Sequence, residues 1–439
     1  YDSSAFNFIS YISKQRKRFG KVFLFFGFWQ PRLIICDPVI IRRVLSDPKR
    51  FPKGKDYTSR FACIFGAGLV TSVGEKHRKD RAIFGKYFIR SNIMKMAPVI
   101  NEIADQAVDD LLKSCASLPA GRAKQLNIEH FCAILALRVF MMFSISTDFR
   151  NRPERENVLC EYVSKASGAA GRSILYGIPA WAKFHPDIKA MEDGKNEVMK
   201  DFNAIASTRQ KMIDSGEDVP DDCLTAMLRE NLPYEEKRDH FVTLICAGHD
   251  TTAYFNAYCI YLLSKHPECQ ERLRTEINNH LQGRAEITPD DITELTYLNQ
   301  VMQETLRFYA IIPNVARSCV EETYIKEANI TIPKGADMLI PMSIINRDPT
   351  IYDNPSEFRP ERFSGKNTDF TSAKNGFFPF GFGSRTCIGN TLAQIESGIF
   401  ISKLVQRCRI EADPTFKLRI QSGISLTTYG GIDVLVRPL

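Results

Sequence analysis

The stretch FPFGFGSRTCIGN, Phe378 to Asn390, sets one cysteine in a run of glycines, with Arg385 two residues before Cys387. Gly381, Gly383 and Gly389 leave the main chain around that cysteine bare of side chains, and glycine is favoured where a ligand approaches the backbone closely. A Walker-type phosphate loop is excluded, because no GK[ST] follows. The next residues, IGNTLAQIESGIFISKLVQ, have a helical pattern that puts Cys387 at or just before a helix N-terminus. Free N–H groups and the positive end of the helix dipole favour a thiolate there. An anionic sulfur with room beside it suits iron held in a planar macrocycle. On this stretch alone, a buried cysteine beside a glycine turn remains the plainer alternative.

The bulk composition narrows the surroundings. The 439 residues are 44% hydrophobic and 25% charged, the balance of a globular protein with a large core. A net charge of +7, spread along the chain, admits an acidic partner or a membrane surface but gives no ground for a nucleic-acid partner. The 12 cysteines make no CxxC pair and no Cys/His cluster, so a zinc site or a secreted disulfide framework is not expected and a reducing environment is. The most apolar run, FCAILALRVFMMFSIS from Phe131, is interrupted by Arg138 and falls short of a membrane span. The chain opens at YDSSAFNF without an initiator methionine, and a membrane anchor is expected to lie outside it.

Between residues 94 and 320 apolar positions recur at three- and four-residue spacing, while strand-like runs (KVFLFFGF, PRLIIC, ADMLIPM, GIDVLVRP) cluster at the two ends. Helices in the middle and strands from both termini predict a single interwoven domain over 1–439, mainly α with small β-sheets (α+β). Thr288-Pro289-Asp290 reads as a helix start, and the proline- and aromatic-rich stretch Asp348 to Phe363 as an ordered coil packed on the core.

Two further constellations carry chemistry. Ala247-Gly248-His249-Asp250-Thr251-Thr252 lies inside an otherwise apolar helical run, where glycine and paired threonines are poor helix formers. Threonine hydroxyls bonding back to carbonyls can open the helical ladder, a distortion frequent at functional sites. An acid and an alcohol side by side there could relay protons to a bound oxygen species; a solvated polar patch is the alternative. Glu304 and Arg307 stand at i, i+3 on LNQVMQETLRFY, which by itself describes an ordinary surface pair.

The string Phe380-Gly-Phe-Gly383-Ser-Arg385-Thr-Cys387-Ile-Gly389 resembles the haem-binding signature of the cytochrome P-450 family, with every fixed position met. The resemblance runs through the chain from residue 18 onward, and its three main motifs fall in the family's order. It implies the cytochrome P-450 fold enclosing haem b (iron protoporphyrin IX), with Cys387 as axial thiolate to the iron and Phe380 packed near it. It also implies that Arg385, Arg317 and Arg81 reach the haem propionates. His77 stands where the family usually has tryptophan, and Asn346 where many members have histidine. Asp250 and Thr251 match the oxygen-activating acid and alcohol. Glu304 and Arg307 match the ExxR motif, completed by Arg362 of Arg359-Pro-Glu-Arg-Phe363, in a structural role.

For the pocket the resemblance points to Phe61 in the loop Phe61 to Leu69, to Ala247, to Ile312 and Val315 in the segment Ile311 to Val315, and to Tyr429 in a C-terminal hairpin near Thr428 to Ile432. These stretches are mostly apolar, which suits a lipid-like substrate. The basic run Lys76, Arg78, Lys79 and Lys86 is expected either to receive an acidic reductase or to be a solvated helix face. The resemblance therefore implies a monomeric hydroxylase or oxidative demethylase of a sterol or long-chain lipid on the cytosolic face of the endoplasmic reticulum membrane. It would use O2 and electrons from NADPH–cytochrome P-450 reductase. A fatty-acid or xenobiotic hydroxylase is the nearer alternative. A reductase-independent isomerase or dehydratase and a non-catalytic haem carrier are the farther ones. The Asp250-Thr251 pair argues against the family's sterol-demethylating branch that usually lacks that acid.

Overall fold

The computed structural model describes residues 8–27, 30–119, 122–175, 178, 181–365 and 376–439. The expected strands form, and they knit the chain ends together. Val22–Gly27 and Gln30–Ile35 make an antiparallel hairpin, with Val22 opposite Ile35. Asp337–Ile340 joins it in parallel, Leu33 opposite Met338, and Val315–Ser318 closes the sheet on the other side. A second sheet sets Asp433–Pro438 between Lys124–Asn127 and Cys408–Ala412. Helices fill the middle of the chain, and one cluster of buried apolar side chains runs from Phe8 to Val436. The architecture is mainly α with small, separate sheets, as the sequence pattern predicts.

Local signals account for several elements. Thr288 and Asp291 exchange hydrogen bonds in a capping box that starts the helix Pro289–Glu294. The apolar run from Phe131 belongs to the helix Ile128–Ile145, which is mostly buried in the core. Its awkward Arg138 is explained by Glu156 on the helix Pro153–Leu175, whose two carboxylate oxygens accept from Nε and an Nη at 2.7 and 2.8 Å. The coil from Asp348 to Phe363 is ordered, with Tyr352 and Phe358 buried and Pro360–Phe363 in a 3₁₀ turn.

The central helix is continuous from Tyr234 to Lys265 but changes pitch. Tyr234–Ile245 and Thr251–Lys265 are α-helical, and Cys246–Asp250 between them is a π-turn. The widened turn falls on the Gly248/Thr251 motif that the sequence marks as a distortion. Here weak helix propensity and a hydroxyl that bonds backwards act together.

Candidate active site

The cysteine loop is built by its own backbone. Cys387 N–H donates to Phe380 O at 2.8 Å, folding the segment into a tight hoop ahead of the helix Asn390–Arg407, which Gly389 caps. Gly381 and Gly383 both sit at left-handed φ, +76° and +73°. At Gly383 the reason is close approach as well as φ. A Cβ there would lie 2.8 Å from the Leu45 carbonyl oxygen, at the end of the helix Pro38–Ser46. Contact between two chain segments is thus a reason for glycine at this position that the sequence reading did not give. Gly389 has ordinary φ and only Phe88 nearby, at 3.7 Å. Of the twelve thiols, Cys387 is exposed, Cys63 is half-buried and ten are buried. The surrounding protein raises the Cys387 pKa, and the Gly389 backbone and Arg81 draw it down.

A group of basic side chains gathers beside this loop. Arg385 donates to the Ser72 carbonyl at 2.7 Å, and Arg81, on the helix Gly74–Gly85, acts electrostatically on Cys387. Arg317 is buried on the strand Val315–Ser318, and Lys53 pairs with it across an isolated β-bridge. Burial, with Arg317 and Arg385 facing it, holds Lys53 well below the usual ammonium range. Burial, with Arg385, Arg81 and Lys53 acting on it and Asp80 opposing them, pushes His77 down to about 4, so its imidazole is neutral at pH 7. Cations packed this closely repel one another unless anions are set among them. A planar group with two carboxylates and an iron for Cys387 fits this donor set, which is the composition of haem b.

Lys53 is the member that sequence reading misses. FPKGK looks like a solvated turn, yet Gly54 N–H donates to Ala316 O at 3.3 Å and Ser318 N–H to Pro52 O at 3.1 Å. The segment is an extra edge on the sheet. The available signal is Gly54, where a Cβ would stand 3.1 Å from that of Ala316.

On the central helix the motif residues divide between two directions. Ala247 is exposed and Thr251 half-exposed in a helix otherwise largely buried, and Thr251 Oγ1 donates to Ala247 O at 2.7 Å. Asp250 is buried and accepts from the Ser425 hydroxyl. Burial raises its pKa to about 7; hydrogen bonds from Ser425 and Ser167 oppose this, and Glu129 adds to it. His249, which the sequence reading leaves without a role, is fully buried and held near 4 by burial.

Glu304, Arg307 and Arg362 meet in the core. Arg307 Nε and an Nη donate to the two Glu304 oxygens at 2.7 Å each, and Arg362 Nε reaches Glu304 at 3.1 Å. Arg307 also donates to the carbonyls of Asn346, Pro355 and Glu357, and the Arg359 amide donates to Glu304 at 2.9 Å. Asn346 contributes its backbone carbonyl to Arg307, and its side-chain Nδ2 also donates to the Leu306 carbonyl at 3.3 Å.

The remaining expectations fare unevenly. Phe61 is buried against Phe65, and Ile312 and Val315 are half-buried. Phe380 is half-buried against the core. The C-terminal hairpin lies earlier than expected: Ile420–Ser422 pairs with Leu426–Thr428 and turns at Gly423 to Ser425. Thr428 to Ile432, with Tyr429 52% exposed, instead leads from the hairpin into the last strand. The basic run is also divided. Lys76 Nζ turns inward onto Glu236 at 2.7 Å and Asp80 at 3.3 Å, beside buried His240. Its single ammonium bridges the two carboxylates of the cluster Asp80–Glu236–His240, whose donor atoms lie within 4.8 Å of one another. Arg78, Lys79 and Lys86 remain exposed.

This arrangement is that of a haem-thiolate oxygenase site, and comparison with known proteins agrees. A family model described as Cytochrome P450 matches residues 4–431. The chain is 27% identical to Cytochrome P450 3A13 of Mus musculus, over 90% of this chain and 80% of that one. It is 26% identical to Cytochrome P450 4d2 of Drosophila melanogaster, over 91% and 83%. An 11-oxo-beta-amyrin 30-oxidase of Glycyrrhiza uralensis is 25% identical, over 93% and 79%. The chain belongs to the cytochrome P450 family of monooxygenases, which use haem iron, O2 and electrons supplied by a redox partner.

Proposed function

We propose that this monooxygenase hydroxylates or oxidatively demethylates a sterol or long-chain lipid. NADPH–cytochrome P-450 reductase supplies the electrons at the cytosolic face of the endoplasmic reticulum membrane, and the chain works as one monomeric catalytic domain. The observation that carries the chemistry is the exposed Cys387 thiol beside Arg81, in a neighbourhood of Lys53, Arg317, Arg385 and neutral His77.

Bound through the Cys387 thiolate, haem b would supply an electron-rich iron that favours O–O cleavage. Arg81, Arg317, Arg385 and Lys53 would hold its propionates, and the neutral His77 ring could donate an N–H to one of them. Phe380 and the hoop closed by the Cys387 amide fix the sulfur. Thr251 presents a hydroxyl on the accessible side of the central helix, its own proton directed to Ala247 O, so its lone pairs are free to accept from water. Asp250, with a pKa near 7, holds or releases a proton at Oδ under working conditions. Glu304, Arg307 and Arg362 lock the coil from Asp348 to Phe363 onto the core.

The substrate class rests on the side chains offered to it: Phe61, Ala247, Ile312 and Val315 are apolar, as an apolar ligand requires. Arg78, Lys79 and Lys86 form the exposed basic face that suits an acidic reductase. The test is turnover of a panel of sterols and long-chain fatty acids, with binding read by the haem spin shift. A sterol or fatty acid should shift the spin state and yield oxidised product only when NADPH and reductase are both present. Product formed without either would establish an isomerase or dehydratase instead. Turnover confined to small foreign compounds would overturn the lipid assignment.

A further inference from the structure

Glu236 and His240 stand four residues apart on the helix Tyr234–Ile245, so both project from one of its faces. Lys76 and Asp80 have the same spacing on the helix Gly74–Gly85. The two faces meet. Lys76 Nζ lies 2.7 Å from Glu236 and 3.3 Å from Asp80, and His240 Nε2 lies 3.5 Å from Asp80 Oδ1. One donor atom each from Asp80, Glu236 and His240 fall within 4.8 Å of one another. With metal–ligand bonds of about 2.0–2.2 Å, ligands of one ion stand roughly 3–4 Å apart, so a small contraction separates these three from a coordination sphere.

The protein's own contacts leave the cluster incomplete. His240 is 0% exposed, and among the described residues neither of its ring nitrogens has a hydrogen-bond partner. Buried polar atoms are rarely left so, because each has given up water without a replacement. The ring packs against Phe84, with centroids 5.0 Å apart, and presents Nε2 to Asp80. Asp80 is buried too, and its Oδ2 lacks a partner among the described residues. Within the group the Lys76 ammonium offsets one of two carboxylate charges. A divalent cation would offset both, and an uncompensated buried charge is costly. Lys76, with its side chain 35% exposed, has a path out to solvent.

We infer that Asp80, Glu236 and His240 form a binding site for a divalent transition-metal ion of the zinc type, with the Lys76 ammonium as its exchangeable occupant. One imidazole nitrogen with two carboxylate oxygens suits zinc better than magnesium or calcium, which take oxygen ligands. Three protein ligands leave a fourth position for water. Binding exchanges one cation for another, and the displaced Lys76 joins Arg78, Lys79 and Lys86 on the exposed basic face. The ion also fastens the helix that carries His77 and Arg81 to the central helix. No cysteine pair announces the site in the sequence, because its ligands come from two helices far apart in the chain.

The test uses the haem-loaded enzyme, stripped of loose metal with a chelator and titrated with zinc chloride in a calorimeter. One ion per chain should bind. The zinc absorption edge should show nitrogen and oxygen neighbours at about 2.0–2.2 Å and no sulfur at about 2.3 Å. Glu236→Gln, at the most accessible ligand, should weaken binding by at least the roughly 10–100-fold that loss of an outer-shell partner costs. Lys76→Ala should do the opposite and tighten it, since the competing ammonium is gone. Zinc should raise the unfolding midpoint of the wild type and of Lys76→Ala far more than that of Glu236→Gln. If Glu236→Gln fails to load haem, Lys76→Ala decides, because misfolding does not produce a tighter site. No zinc bound by the wild type, sulfur at the edge, or unchanged affinity in either variant would overturn the site.

Discussion

Glu304 and Asp250 are both carboxylates sealed in the core, 0% and 2% exposed, and the protein treats them in opposite ways. Glu304 is met by Arg307, Arg362 and a backbone amide, so each of its oxygens is held by a charge-assisted bond. Asp250 is met by two hydroxyls and, farther off, another acid, and its pKa rises to about 7. A carboxylate clamped by guanidinium groups serves geometry, and one supported by hydroxyls can change charge at working pH. The first belongs to scaffolding and the second to proton supply.

The largest expected effect comes from breaking the clamp. Arg307→Ala leaves buried Glu304 with only Arg362 and the Arg359 amide and strands the Asn346 and Pro355 carbonyls, which should cost about 3–5 kcal/mol. Urea unfolding should show a much lower midpoint and poor haem retention. A variant with wild-type stability would remove Glu304–Arg307 from the scaffold.

Asp250→Asn should do the reverse to stability while harming function. The folded pKa of about 7 exceeds the ordinary 3.8, so below about pH 4 the group is protonated in both states and costs nothing. As pH rises towards 7 the unfolded chain releases the proton first, and stability falls by up to about 4 kcal/mol. Asparagine lacks this loss, so the variant should gain on wild type between about pH 4 and pH 7 and hold the gain above. A stability difference that does not vary with pH would mean Asp250 is not a buried titrating acid.

The smallest structural change is Thr251→Ala. It removes one hydroxyl on the accessible side of the helix and leaves the Asp250 contacts intact. Stability should move by about 1 kcal/mol or less, while peroxide release per NADPH rises several-fold and the substrate spin shift persists. Unchanged coupling would take Thr251 out of the proton path.

The parts of this comparison were unequally visible in the sequence. The cysteine loop, the π-turn and the Glu304/Arg307 pair are each local, and local spacing carries φ preference, helix propensity and i, i+3 contact. Even there the meaning needed the fold: Gly383 is required by Leu45, and an ordinary-looking Glu–Arg pair turned out to be fully buried. Lys53 beside Arg317, Ser425 on Asp250 and Thr428 on Glu129 are contacts between distant segments, fixed by sheet edges and helix crossings that no short window contains. The inward turn of Lys76 is of the same kind, since its partner Glu236 lies on the central helix. The hairpin was misplaced for a related reason: its short strands pair by register, and apolar alternation alone did not fix where they turn.

The central claim is that Cys387, as a thiolate, is the axial ligand of a haem, and the spectrum of the reduced protein under carbon monoxide tests it most directly. The wild type should show the red-shifted Soret band of a thiolate-ligated haem, and Cys387→Ser should abolish it. A wild-type spectrum of the histidine-ligated kind, or a Cys387→Ser protein that keeps the shifted band, would contradict the account.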